Sequence, residues 1–288
     1  MAGLILEGGT FRPIFSCGVM DALLDENILF PYCIGVSAGI SDAISYASRQ
    51  RGRNLEIAMK YRSDRRYVGA GNLHSDGSFF GMNFIFDEIP NKLVPFDYEA
   101  FYAYPGTFLI GVTNSRTGQA EYIDGKTMDS TFRALRATCA IPLAIPPVRM
   151  KGGRFFDGGV ADPIPIRKAI ADGNERNLIV LTRPQGYQKK LDKRNILAAH
   201  ALRRSYPAIA DLLLKRHEAY NETVAFCERL EAEGRAILLR PEYPLDSLEK
   251  SIKTLRASYE HGYRMAKERM EEIRKINQEG SRNYELVK

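Results

Sequence analysis

The sequence has no uninterrupted apolar stretch long enough to span a bilayer, which excludes a membrane-crossing helix. No charged and apolar leader precedes its first core-type run, Leu4-Ile5-Leu6, so no secretory signal is expected and the location expected is cytoplasmic. Repeats and low-complexity linkers are also lacking. The 288 residues therefore read as one compact unit with room for a large core and an added subdomain. Cysteine is scarce: Cys17, Cys33, Cys139 and Cys227 are scattered, without C-x-x-C or metal-ligand spacing. That excludes a disulfide framework and a structural zinc site and implies buried free thiols. No metal and no organic cofactor is implied. Charge of neither sign dominates. The net +6 arises late, residues 187–288 holding 21 basic and 16 acidic side chains, and no nucleic-acid partner is expected.

What the chain has is glycine in revealing places. Gly35-Val36-Ser37-Ala38-Gly39 follows the apolar run Tyr32-Cys33-Ile34 and precedes the helix-compatible run 40–48. A strand turning sharply into a helix at a serine is a nucleophile elbow, where β-carbons two residues either side of the serine would clash. Upstream, Leu4-Ile5-Leu6 runs into Glu7-Gly8-Gly9-Thr10-Phe11-Arg12-Pro13. A helical pattern of Ile14, Val19, Met20, Leu23 and Leu24 follows, with Pro13 suited to the first helical position. Strand, glycine loop, helix, strand, Ser37, helix is a right-handed parallel βαβ unit, which sets both strand-to-helix loops on one sheet edge. Backbone N–H groups of Gly8, Gly9 and Thr10, with that of Ala38 after the serine, then form an oxyanion site for a tetrahedral intermediate at Ser37. Glycine loops also bind nucleotides. Here the G-x-G-x-x-G spacing and the Gly-Lys-Ser/Thr ending are missing, and no acidic residue closes the next strand to hold a ribose.

The serine needs a base. The four histidines, His74, His200, His217 and His261, lie outside any glycine-punctuated motif. Val148-Arg149-Met150, Lys151-Gly152-Gly153 and Arg154-Phe155-Phe156 instead read as a hairpin that delivers Asp157 into Gly158-Gly159. A carboxylate at a strand end, between glycines that allow close backbone approach, is placed for chemistry, and as a base it requires a raised pKa. Asp162, before Pro163, reads as a turn cap.

These residues resemble the patatin-like phospholipase family of lipid acyl hydrolases. The glycine loop at Glu7 to Pro13, the elbow at Gly35 to Gly39 and the Asp-Gly-Gly element at Asp157 to Gly159 carry the resemblance, with Arg136-Ala-Thr-Cys-Ala-Ile-Pro142 and Ile145-Pro146-Pro147 similar to the family's alanine- and proline-rich stretch. It covers roughly residues 4–183. The resemblance implies a Ser37–Asp157 dyad without histidine, supported by Arg12, Gly35, Gly39, Gly158 and Gly159, acting on phospholipid, lysophospholipid or glyceride esters through an acyl-serine. It also implies a three-layer α/β/α fold with a mainly parallel central sheet: a catalytic core over 1–186 and a mostly helical carboxy-terminal extension over 187–288. The chain departs from the pattern at Thr10 and Pro13, where the family carries glycines. Pro13 cannot donate a backbone hydrogen bond, and a glycine-only φ at Thr10 would be strained.

The competing enzymatic reading is a Ser-His-Asp hydrolase, but Ser37 comes after one strand and one helix, earlier than an α/β-hydrolase elbow. The competing non-enzymatic reading is a weak or inactive lipid-binding or scaffold protein disabled at Thr10 and Pro13. Two further segments bear on lipid. Phe79 to Phe86, after the loop 69–77, has the aromatic density of an acyl-chain lining and the glycines of a lid. Leu248, Ile252, Leu255, Tyr259, Tyr263, Ala266, Met270 and Ile273 form a helical stripe, following a strand expected at Ala236 to Leu239 in the basic extension. That extension suits peripheral contact with an anionic membrane surface.

Overall fold

A computed structural model describes residues 1–285, and the last three residues of the segment expected over 187–288 lie outside them. Strand β1 (Ala2–Leu6) leads through the glycine loop to helix α1 (Ile14–Asp25), and β2 (Tyr32–Val36) passes directly into α2 (Ser37–Ala47). Next come α3 (Arg53–Tyr61), the one-turn α4 (Asn72–Ser75), a π-helix over Phe84–Leu93 and α5 (Tyr98–Tyr102). Strands β3 (Thr107–Asn114) and β4 (Ala120–Asp124) precede α6 (Arg133–Thr138), the hairpin β5 (Val148–Met150) and β6 (Gly153–Asp157), α7 (Ile166–Ala171) and β7 (Arg176–Val180). The carboxy-terminal part supplies α8 (Lys193–Leu202), α9 (Pro207–Ala232), β8 (Ala236–Leu239), α10 (Ile252–Glu268) and α11 (Met270–Glu285).

The strands form one sheet in the order β5-β6-β3-β2-β1-β7-β8, with β4 also on β3. Neighbours from β3 through β8 run parallel, and β4, β5 and β6 pair antiparallel. Parallel strands are buried on both faces, so β1, β2 and β7 read as continuous apolar runs. Leu4, Leu6, Leu178, Val180, Ile237 and Leu239 enter the core cluster that α1, α2, α10 and α11 share, whereas Ile5, Ile34, Ile179 and Leu238 pack under α7 and the later half of α9. These are the three layers. Each fully buried aliphatic side chain contributes about 1.5–3 kcal/mol.

Strand β3 decides where the chemistry sits. Its residues 107–111 pair with β2, ending at Val36 opposite Gly111, and 112–114 pair with β6, starting at Asp157 opposite Val112. Because β4 pairs with 109–113 and so occupies the other edge, β6 takes over the edge that β2 leaves. Ser37, following Val36, and Asp157 therefore meet at the handover. The extension belongs to the same body: β8 completes the sheet on β7, and α10 crosses α1 at Gly18 and Gly262. A β-carbon at Gly262 would stand 2.0 Å from the Phe15 carbonyl oxygen. In the expected stripe Leu255, Tyr259, Ala266, Met270 and Ile273 are buried, while Leu248 precedes α10 and is exposed.

Candidate active site

Ser37 begins α2 with φ 54° after an extended Val36, the left-handed conformation of a sharp elbow. Its N–H donates to Thr138 Oγ1 at 2.8 Å, and the Thr138 hydroxyl donates to the Gly111 carbonyl at 2.5 Å, so the elbow is tied to β3. The glycine loop lies directly on it. A β-carbon on Gly39 would stand 2.4 Å from the Glu7 carbonyl oxygen, one on Gly35 2.7 Å from that of Leu6, and one on Gly8 2.7 Å from Ser37 Cβ.

Asp157 ends β6. Its own N–H donates to the Ala140 carbonyl at 2.9 Å, the Thr113 hydroxyl donates to its carbonyl at 2.8 Å, and the Gly159 N–H donates to Oδ1 at 2.8 Å. Burial pushes the carboxyl above the ordinary carboxylate range, against the opposing pull of the Ser37 hydroxyl hydrogen bond, Arg216, the Gly159 N–H and Lys189. Arg216 is the residue that sequence reasoning missed here. Projecting from α9, it donates Nε to the Gly159 carbonyl at 2.9 Å and so braces the turn after Asp157. Gly158 is fixed by contact, since a β-carbon there would lie 2.2 Å from the Gly111 oxygen. Lys189 is held down to about 7 by burial and by Arg216.

The loop leaves its donors free. Glu7 N–H is spent on Val180, Phe11 N–H on Ser247 and Arg12 N–H on Gly9, while those of Gly8, Gly9 and Thr10 have no partner among the described residues. Thr10 has φ 60°, the left-handed region a β-branched residue resists, and Gly9 has φ 152°. Pro13 caps the start of α1 with φ −61°, where its missing N–H costs nothing. Behind the loop the Glu7 carboxylate accepts from Thr182 N–H at 2.6 Å and Tyr220 hydroxyl at 3.1 Å. Arg12 lies over the open face of Gly9 and donates Nε to Thr182 Oγ1 at 3.2 Å, bracing the loop from behind.

A cavity of about 150 Å³ opens beside Ser37, Ala38 and Thr10. From the aromatic segment, Phe80, Met82, Ile85 and Phe86 line it; Phe84 packs instead against Tyr61 and Tyr67, and Phe79 is exposed. Its wall also carries polar side chains that the sequence did not single out, Ser41, Asp42, Arg53 and Asn54.

None of the histidines lines this cavity. His261 is buried between Phe15 and Tyr243, on the face of α10 that turns onto α1. Asp162 takes a backbone hydrogen bond from Ile164, as a turn cap does, and its carboxylate also accepts from the Tyr122 hydroxyl at 2.6 Å. Cys17, Cys33 and Cys227 are buried and Cys139 is half-buried against Ser41. Among the described residues no group of three His, Cys, Asp or Glu is placed to hold a metal ion, and no helix is long and apolar enough to cross a membrane.

Comparison with known proteins matches residues 4–170 to the family described as patatin-like phospholipase, and residues 206–278 to a domain of unknown function, DUF6363. The chain is 23% identical over 266 residues to the uncharacterized protein YjjU of Escherichia coli K12, covering 90% of this chain and 74% of that one. VipD from Legionella pneumophila aligns with a TM-score of 0.46 and 11% identity over 93% of this chain, which spans 66%, just under two thirds, of that protein.

Proposed function

We propose, from the premise that the chain belongs to the patatin-like phospholipase family and so to the lipid acyl hydrolases, that it cleaves carboxylic esters of lipids through an acyl intermediate on Ser37. Asp157 takes the Ser37 proton as Oγ attacks the ester carbonyl, and returns it to the leaving alkoxide as the tetrahedral intermediate collapses. Water then attacks the acyl-serine with Asp157 again as base, releasing a fatty acid and restoring the hydroxyl. The developing oxyanion is received by N–H groups of Gly8, Gly9, Thr10 and Ala38, at the start of α2 where the helix dipole also favours negative charge. The observation that carries the reading is the handover on β3, which supports a hydrogen-bonded Ser37–Asp157 pair beneath a loop with three unspent donors, at the mouth of an apolar cavity.

We read residues 1–186 as the catalytic core and 187–288 as an extension that braces it through Arg216. Lipid esters are the substrate class, met by peripheral contact with an anionic surface. A lipid-binding protein that has lost turnover is the second reading, and the strained Thr10 favours it. Labelling with a fluorophosphonate, with and without Ser37→Ala, separates the two. An adduct confined to Ser37 is expected; no adduct, with detergent or lipid present, leaves the binding protein.

A further inference from the structure

The cavity beside Ser37 is mainly apolar; besides Thr10, Arg62 and Tyr67, its wall carries a polar recess at Asp42, Arg53 and Asn54. Asp42 stands five residues after Ser37 on α2, about 7.5 Å further along the helix axis at about 1.5 Å per residue, so it meets an acyl chain in mid-course rather than at the ester. Its Oδ2 accepts from the Cys17 thiol at 3.5 Å, a weak bond, and no ion pair holds the carboxyl among the described residues. Asn54, beside it in the wall, donates one amide N–H to the Asp42 backbone carbonyl at 2.8 Å and accepts from the Ser45 hydroxyl at 2.8 Å. Arg53 supplies positive charge from α3, with its Nη1 on Ser45 and Nη2 on the Val94 carbonyl. The other titratable groups facing Asp42 are Cys17 on α1, Tyr67, and Cys139 after α6, all neutral at ordinary pH because burial raises them.

A carboxyl in such a place penalises a plain alkyl chain, which displaces water from it and offers nothing in return. We propose that the acyl pocket is built for a chain carrying a hydroxyl part-way along it, and that Asp42 is the specificity-determining residue that accepts the hydroxyl's hydrogen bond. This rests on the reading of Ser37 as nucleophile and of the cavity as the acyl site, and it names the substrate class within it. Burial holds the Asp42 carboxyl up to about 7, so the recess changes charge near neutrality. A plain chain buries the carboxyl and favours its neutral form, so its KM rises as pH climbs through about 7. A hydroxylated chain gives the ionised form a donor, and its KM rises less.

The test compares kcat/KM for 4-nitrophenyl dodecanoate and its mono-hydroxylated analogues, hydroxylated at successive mid-chain carbons, in the full chain and in Asp42→Asn and Asp42→Leu. Binding of the matching methyl esters to Ser37→Ala protein is measured by calorimetry alongside. A mid-chain hydroxyl is expected to favour the substrate about tenfold at pH 8, or about 1.4 kcal/mol. Asp42→Leu should abolish that preference and improve the plain ester. Asp42→Asn should keep the preference and lose its pH dependence between about pH 6 and pH 8, which a merely structural role for Asp42 would not do. Equal turnover across the series, or a preference that survives Asp42→Leu, overturns the proposal. Absence of any Ser37-dependent turnover overturns the hydrolase reading instead, and the calorimetric series then decides the fate of the Asp42 recess by itself.

Discussion

At the scale of single residues, the groups that carried glycine punctuation were legible and those that act from other elements were not. Ser37 and Asp157 sit in motifs whose glycines have a local steric reason, so the sequence exposes them. Arg216 and Asp42 sit in helical stretches where a charged residue reads as solvated surface, and only the tertiary fold turns one onto Gly159 and the other into the cavity wall. The Arg216 charge helps keep Asp157 ionised, and removing it leaves burial less opposed. In Arg216→Met the acid limb of the kcat/KM profile is therefore expected to move to higher pH, with Arg216→Lys recovering part of the shift; an unmoved limb would show that Arg216 only holds the turn. Asp157→Asn should keep the fold and lose roughly 100- to 10,000-fold in kcat, read beside a circular-dichroism melt. Thr10→Gly relieves a left-handed β-branched residue and should stabilise the chain by about 1 kcal/mol in a denaturant titration, without loss of turnover.

At the scale of elements, close helix contact is the feature most exposed to test. Gly262→Ala drives a β-carbon against the Phe15 carbonyl, so α10 must lift from α1. Overpacking of this kind costs about 1–3 kcal/mol and should lower Tm by roughly 2–10 °C, measured calorimetrically. The glycine itself is visible in the sequence, but its reason is not, because the partner residue lies far away on α1. The same division runs through the fold. β1, β2, the β5–β6 hairpin and β8 were legible as short apolar runs bounded by glycine or turns. The pairing that matters, β6 replacing β2 along β3, joins segments far apart in the chain, Val36 to Gly111 and Val112 to Asp157, and no local pattern encodes it. The π-helix at Phe84–Leu93 also escaped, since its wider winding and internal Pro90 break the 3.6-residue period while still delivering Phe86 and Ile89 to the cavity.

At the scale of the whole molecule, charge and connectivity give opposite kinds of expectation. The net +6 is modest, so attraction to a lipid surface should be electrostatic and screened. Sedimentation with vesicles containing anionic lipid is expected to fall as salt rises from about 0.1 to 1 M, which shortens the Debye length from about 10 to 3 Å; salt-insensitive binding would point to apolar insertion instead. The extension, by contrast, is held by packing that salt does not reach. It gives the sheet its edge strand β8, covers α1 through α10, and sends Arg216 to the turn after Asp157. A chain ended after Gly186 would bare the hydrogen-bonding edge of β7 together with the apolar face of α1, both of which favour association between copies. The truncated chain is therefore expected to be recovered aggregated, and a soluble truncated chain with Ser37-dependent turnover would mean that residues 1–186 fold and act without the cover.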